Sequence, residues 1–267
     1  MWENPVKRAW KEGKTTVGAW LSLPNSFTAE LMAHQGFDWL TVDMQHGLID
    51  YGDAVHMLTA ISTTDVTPFV RVPWNDPATI MKVLDAGAYG VVVPLINNPD
   101  EARRAVGACR YPPFGYRSSG PIRASVHCGP DYQSCANDNI AAILMIETKE
   151  GIDNLDEILS VEGVDAIYVG PSDLSYALGL PPRMDNDNPL HHETVDKIIA
   201  ACKRHNVVGG IHTGGPAYSA RWVERGFQMV TLTSDANCLV RSAQQLLGDM
   251  RERTGLPAPK QVRSQVY

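Results

Sequence analysis

The chain is poor in the features that mark secreted, membrane-bound or nucleic-acid-binding proteins. Its 267 residues include only five cysteines, an odd number that is widely spaced and without a CxxC pair. That is a reduced pattern, neither a disulfide framework nor a zinc motif. No apolar stretch approaches the roughly 20 residues needed to span a bilayer. The opening MWENPVKRAWKEGK is charged and leads into no signal-type apolar region. Neither secretion nor membrane insertion is expected, and the cytoplasm is the expected compartment. Basic charge is also short: 23 Lys and Arg against 30 Asp and Glu leave a formal net charge of −7, with no run of Lys and Arg to follow a polyanion. Nucleic acid is excluded as the expected partner, and a small molecule takes its place.

What is present is a rhythm. Eight short apolar runs rich in β-branched and aromatic residues lie at 17–21, 39–42, 68–72, 90–94, 142–146, 166–169, 208–211 and 228–232. Stretches with helical spacing follow them near 26–35, 52–62, 76–86, 98–109, 150–160, 172–178, 192–205 and 216–225, and a last one covers 235–253. Strands alternating with helices mean βαβ units and a parallel sheet. Similar turns, Gly36-Phe37-Asp38, Gly87-Ala88-Tyr89, Gly163-Val164-Asp165 and Gly226-Phe227-Gln228, precede four of the strands as a weak internal repeat. An open doubly wound sheet usually carries a Gly-rich phosphate loop after its first strand, and LSLPNSF has none. The expectation is a single (β/α)₈ TIM barrel, a fold of about 250 residues. It covers residues 1–255, with a tail over 256–267. Two segments, 110–140 and 179–191, are rich in Pro and Gly and are expected as long loops.

In such a barrel chemistry sits at the carboxyl ends of the strands. The polar residues ending the apolar runs are Asp43 with His46 beyond it (TVDMQHG), Arg71 (FVRV), Glu147 (LMIET), Ser172 and Asp173 (GPSDL) and His212. Each has a plain structural reading: helix caps for Glu147 and Asp173, a loop histidine for His46, a structural ion pair for Arg71. Their joint occurrence on successive strand ends favours function. Two carboxylates without Cys or paired His suit a hard divalent cation such as Mg²⁺ or Mn²⁺, completed by water and substrate. A 2-oxo acid could chelate it, with its carboxylate on the backbone N–H groups of Ser172 and Asp173. The cation would then act as Lewis acid towards an enolate, beside the fixed charge of Arg71. His46, oriented by Asp43, would move the proton directly or through a water. A Schiff-base route would need a lysine. Lys149 alone lies near a strand end, and it reads as solvated surface. His191-His192 look like a metal pair but are expected in a solvated loop. Trp20, Tyr116, Arg117 and Arg123 are candidates for contact with substrate or a neighbouring subunit.

VDMQHG, PWNDP after the Arg71 strand, VLDAG, RYPPFGYRSSG, MIET, VEGVDAIYVGPSDLS and ALG, in this order, resemble the HpcH/HpaI class II pyruvate-dependent aldolases over about residues 5–250. The resemblance implies a homo-oligomer, a hexamer built as a trimer of dimers, with the C-terminal helix exchanged between subunits. It implies cleavage or formation of 4-hydroxy-2-oxo acids, giving pyruvate and an aldehyde through a pyruvate enolate, in aromatic or sugar-acid catabolism. Glu147 and Asp173 become the metal ligands, for Mg²⁺ or Mn²⁺ with Co²⁺ or Zn²⁺ as substitutes. His46 is the acid/base residue, Arg71 stabilises the enolate, and Ser172 and Asp173 contact the pyruvyl carboxylate. Asp43 and Asp85 raise the basicity of His46. Asp85 by pattern alone is an ordinary helix-end residue.

The chain departs from the family pattern in places. Met145 stands where the family has a substrate-contacting glutamine, Met44 and Gln45 replace a Gly-Glu pair, and His212 stands where an aliphatic residue would line the aldehyde side. These leave the reaction type in place and open the choice of aldehyde, with His212 either a plain strand-end residue or a contact for a polar or anionic acceptor. The alternative reactions on the same site are decarboxylation of a 2-oxo dicarboxylate such as oxaloacetate, or addition of the enolate to another acceptor. A non-catalytic barrel that senses a 2-oxo acid would be expected to have lost some of these strand-end groups.

Overall fold

The computed structural model describes residues 2–257. Eight parallel strands, β1 (Thr16–Leu21), β2 (Trp39–Asp43), β3 (Thr67–Arg71), β4 (Gly90–Val93), β5 (Ala141–Ile146), β6 (Ala166–Val169), β7 (Val208–Ile211) and β8 (Met229–Ser234), pair in sequence order, and β8 pairs back to β1. The barrel is closed, helices return the chain from each strand to the next, and the whole is the (β/α)₈ fold expected. Gly36, Gly87, Gly163 and Gly226 of the repeated turn all take positive φ, between 86° and 111°. A side chain there would clash with its own backbone, so the repeat reflects one recurring turn geometry.

Alternation along each strand sorts the side chains into two layers. One set, including Leu40, Val42, Val70, Leu144, Val169 and Val230, packs outward against the helices. The other, including Trp20, Trp39, Phe69, Ile143, Met145 and Tyr168, fills the barrel. Large residues there are matched to small ones: a Cβ on Gly18 would lie 2.1 Å from the Trp39 ring. The inward set continues past the hydrophobic layers to Asp43, Arg71, Glu147, Gly170 and His212. Parity alone therefore gathers these positions at one mouth.

The other mouth is closed by an N-terminal helix, Pro5–Lys11, which the sequence pattern had not singled out. Asn4 caps it and donates from Nδ2 to the carbonyls of Tyr89 and Asn139. Lys7 is buried against Asp165 at 2.7 Å, and Trp10 donates to Thr16.

Several loop expectations are corrected. Residues 110–140 hold two helices, Ile122–Cys128 and Tyr132–Asn139, and the sequence between 179 and 191 already enters the helix Pro189–His205. His191 is fully buried on that helix with Nε2 3.3 Å from the Pro171 carbonyl, and His192 lies against Tyr218. Short helical turns fit between the prolines and glycines that suggested loops, because Pro121 and Pro189 lie at helix starts and Gly129 at a helix end. The region near 150–160 is two short helices, Lys149–Asp153 and Leu155–Leu159. The last helix is Asp235–Thr254, and all but the first two residues of the expected tail lie outside the described residues. No helix among the described residues is long and apolar enough to cross a membrane.

Candidate active site

Arg71 is held at the mouth from its edge and from its face. β2 and β3 pair with Asp43 opposite Arg71, so the two inward side chains meet at the rim. Nε of Arg71 donates to Oδ1 of Asp43 at 2.8 Å and Nη2 to Oδ2 at 2.6 Å, both residues about 5% exposed. The guanidinium lies 4.3 Å over the Trp20 ring. A planar cation gripped at its edge and stacked on its face is held in one orientation. Burial would raise the Asp43 carboxyl, but the hydrogen bonds and charge of Arg71 and the His46 and Gln45 amides outweigh it and hold the carboxyl below its usual range. Oδ1 of Asp43 accepts from the backbone N–H of Gln45 at 3.1 Å and of His46 at 3.3 Å. Asp43 thus also folds the loop that carries His46.

Glu147 follows β5 and is 3% exposed. Its Oε1 accepts from the Leu95 N–H at 3.1 Å, and Leu95 takes a positive φ of 56°. Burial first, and then the neighbouring Asp173 carboxylate, push the Glu147 carboxyl up to about 7, against the opposing pull of Leu95 and Arg71. Two neighbouring carboxylates, one of them buried, repel, and a cation between them relieves that repulsion. Their all-oxygen donor set fits a hard divalent ion. Among the described residues no group of three or more His, Cys, Asp and Glu could hold a metal, so Glu147 and Asp173 would leave the remaining positions to water and substrate. The backbone of Gly170 gives Glu147 its room: a Cβ there would lie 2.1 Å from Oε2.

His46 is common to two cavities. An inner one of about 150 Å³ lies between Trp20, Asp43, His46, Arg71 and His212, with Leu23 and Leu48 at its edge. An outer one of about 1060 Å³ runs past Ser172, Asp173, Arg183 and Arg241. A third, of about 480 Å³, lies near the closed mouth by Lys7 and Asp165 and contains none of the expected site residues. Asp235, buried at the start of the last helix, accepts from the Ser22 N–H and hydroxyl and from the Leu23 N–H, fixing the inner cavity's wall after β1.

Asp43, His46, Arg71, Glu147, Ser172, Asp173 and His212 are thus brought to one mouth. Asp85, Met145 and Arg123 line neither cavity there. Asp85 ends the helix Pro77–Asp85 and pairs with the buried Arg117 at 2.7 Å. Met145 lies in the barrel interior beside Gly170, 2% exposed, and lines neither cavity at this mouth. Lys149 is exposed and paired with Asp153, as expected of a surface lysine. Arg123 braces the Leu58 and Ala86 carbonyls and does not line the described pocket. Tyr168, Thr231 and Leu95 also support the site. Inward parity marks the first two, whereas nothing in the sequence pattern marks the Leu95 backbone.

Fold and site together define a (β/α)₈ barrel with its charged residues gathered at the carboxyl ends of the strands. The chain belongs to the HpcH/HpaI aldolase/citrate lyase family, whose model matches residues 16–242. It is 39% identical over 251 residues to a hydroxypyruvate/pyruvate aldolase of Rhizorhabdus wittichii, covering 93% of this chain and 99% of that one. It is 36% identical over 271 residues to a 4-hydroxy-2-oxo-heptane-1,7-dioate aldolase of Shigella flexneri, covering 99% and 100%. Among solved structures, an HpcH/HpaI aldolase/citrate lyase family protein from Burkholderia cenocepacia superposes with a TM-score of 0.87 at 34% identity, covering 93% of this chain and 99% of that one.

Proposed function

We propose that the chain is a divalent-metal-dependent aldolase, a carbon-carbon lyase that splits 4-hydroxy-2-oxo acids into pyruvate and an aldehyde and runs the addition in reverse. The observation that carries this reading is the gathering at one mouth of two carboxylates that feel each other's charge, Glu147 and Asp173, with the braced Arg71 and His46. Glu147 and Asp173 would hold Mg²⁺ or Mn²⁺, with Co²⁺ or Zn²⁺ as substitutes. When bound, the cation supplies positive charge that polarises the 2-oxo group. Ser172 and Asp173 orient the pyruvyl carboxylate. Arg71 presents a fixed cation to the oxygen that becomes negative as the C3–C4 bond breaks, and its clamp removes the cost of reorienting at that moment. His46 accepts the 4-hydroxyl proton, directly or through a water, as the aldehyde leaves. Return of a proton to C3 of the enolate completes pyruvate.

Stripping the protein with EDTA is expected to abolish pyruvate release from a 4-hydroxy-2-oxo acid, and Mg²⁺ or Mn²⁺ to restore it. Parallel assay of CO₂ release from oxaloacetate ranks aldol cleavage against the decarboxylase alternative. Activity indifferent to chelation, or a borohydride-trapped pyruvate adduct on Lys149, would overturn the reading.

The quaternary reading is a hexamer with an exchanged C-terminal helix. It is supported by Leu239, Leu246, Leu247 and Met250, which are exposed on the helix Asp235–Thr254, where only Asp235 and Ala236 are buried. Light scattering is expected to return the mass of six chains, and a monomeric mass would exclude this assembly.

A further inference from the structure

Beneath Arg71 the barrel holds a run of polar groups that the cleavage chemistry does not use. Trp20 Nε1 lies 2.8 Å from Thr231 Oγ1 and 3.1 Å from Tyr168 Oη. Thr231 Oγ1 and Tyr168 Oη are themselves in hydrogen-bond contact, and Tyr168 Oη lies 3.3 Å from Nδ1 of His212. Trp20 and Tyr168 are about 2% exposed or less, and Thr231 is fully buried, so their protons must be satisfied internally.

Donor chemistry fixes one end of the run. The indole N–H can only donate. Thr231 Oγ1 and Tyr168 Oη both lie within its reach, and the arrangement that passes the threonine's own proton on to Tyr168 Oη leaves the phenol proton for His212. In that arrangement Tyr168 donates to His212 Nδ1, which is then the unprotonated nitrogen. The imidazole proton is left on Nε2. His212 also lines the inner cavity, beside Leu23 and Leu48. With Nδ1 at Tyr168, Nε2 is the ring nitrogen left for the cavity that His212 lines. The ring stays neutral: burial first, and then the charge of Arg71, push its pKa down to about 3, with Asp43 opposing.

We propose that Trp20, Thr231 and Tyr168 form a one-way hydrogen-bond chain that fixes the Nε2–H tautomer of His212, and that this N–H recognises an uncharged oxygen on the acceptor, so that the preferred aldehydes are short and hydroxylated. Tyr168 and Thr231 are positioning residues and His212 the specificity residue. A neutral donor can match a hydroxyl or carbonyl oxygen, but it brings no charge to offset the desolvation of an anion. The nearby cation, Arg71, is already paired with Asp43. A site built to donate to an oxygen also discriminates against acceptors lacking one, because the buried N–H is then left unpaired. The aldehyde class rests on the aldolase reading above; the tautomer does not.

The test has two independent arms. In protein labelled with ¹⁵N-histidine, the His212 signal, assigned by its absence from His212→Gln, is expected to show a protonated Nε2 and an unprotonated Nδ1. Tyr168→Phe, which keeps the ring and removes the hydroxyl, is expected to move it towards the other tautomer. In aldol addition to pyruvate, the wild-type kcat/KM ratio for a hydroxylated over an unsubstituted aldehyde of equal length should fall about tenfold in Tyr168→Phe, the loss of about one net hydrogen bond. A protonated Nδ1 in the wild type would overturn the relay even if Tyr168→Phe fails to fold. A ratio unchanged by Tyr168→Phe would overturn the specificity role. No metal-dependent aldol activity in the wild type would defeat the aldolase reading and with it the aldehyde class, while the labelling arm still judges the relay alone.

Discussion

Glu147→Gln is expected to abolish cation binding by titration calorimetry and to lower kcat/KM for pyruvate release by about three orders of magnitude or more, since Lewis-acid assistance is worth several kcal/mol. The same variant should be more stable than the wild type when both are metal-free at pH 8. The reason is the direction of the Glu147 shift. A carboxyl raised in the folded protein to about 7, from an ordinary 4.5, contributes stability that is full below about 4.5 and lost as pH rises through 7. Above that range the metal-free wild type carries a buried anion beside Asp173, at a cost on the order of 3 kcal/mol, which the amide avoids. Thermal unfolding of both proteins from pH 4.5 to 8 checks the crossing. Cation affinity in the wild type should fall about tenfold per pH unit below 7, as the ligand takes up a proton. Gly170→Ala should reproduce the loss of affinity with Glu147 intact, because its methyl would occupy the place of Oε2. Undiminished Mn²⁺ binding in Glu147→Gln would remove this carboxylate from the cation site.

Arg71→Lys should lower kcat/KM by about 10² to 10³, the usual loss for one preorganised transition-state donor. An ammonium keeps the charge but cannot donate along both Asp43 oxygens while lying flat on Trp20. Arg71→Ala should do more, because it leaves Asp43 as an unpaired buried anion. Breaking such a pair from one side costs about 3 to 5 kcal/mol of stability. The lysine variant therefore separates catalysis from folding: thermal unfolding near wild type with activity lost is the expected pattern. Activity within about twofold of wild type in Arg71→Lys would reduce Arg71 to an ion-pair partner.

The barrel was legible because its signal is repeated eight times. Each apolar run is short, but alternation with helices and the recurring glycine turn leave few other topologies. The mouth was legible through parity: Asp43, Arg71, Glu147 and His212 each continue the inward series of their own strand. The partner of Asp85 was not legible, because helix-end position says nothing about what will meet it, and Arg117 lies in a segment whose helices are hidden among prolines. His191 was misread for a similar reason, since an isolated polar residue gives no sign of the carbonyl it will meet. Leu95 illustrates a limit of another kind. What it contributes is a backbone N–H, and side-chain pattern does not encode that.

The helix Asp235–Thr254 links two scales of the molecule. Its first residue clasps Ser22 and Leu23 at the pocket wall. Asn237, Arg241 and Gln244, one and two turns on, face the outer cavity. Farther along, Leu246, Leu247 and Met250 are exposed to whatever lies outside. One rod is thus both a wall of the reaction chamber and a handle on the surface. A partner gripping the handle would therefore bear on the wall of the outer cavity, at a distance from any residue it touches.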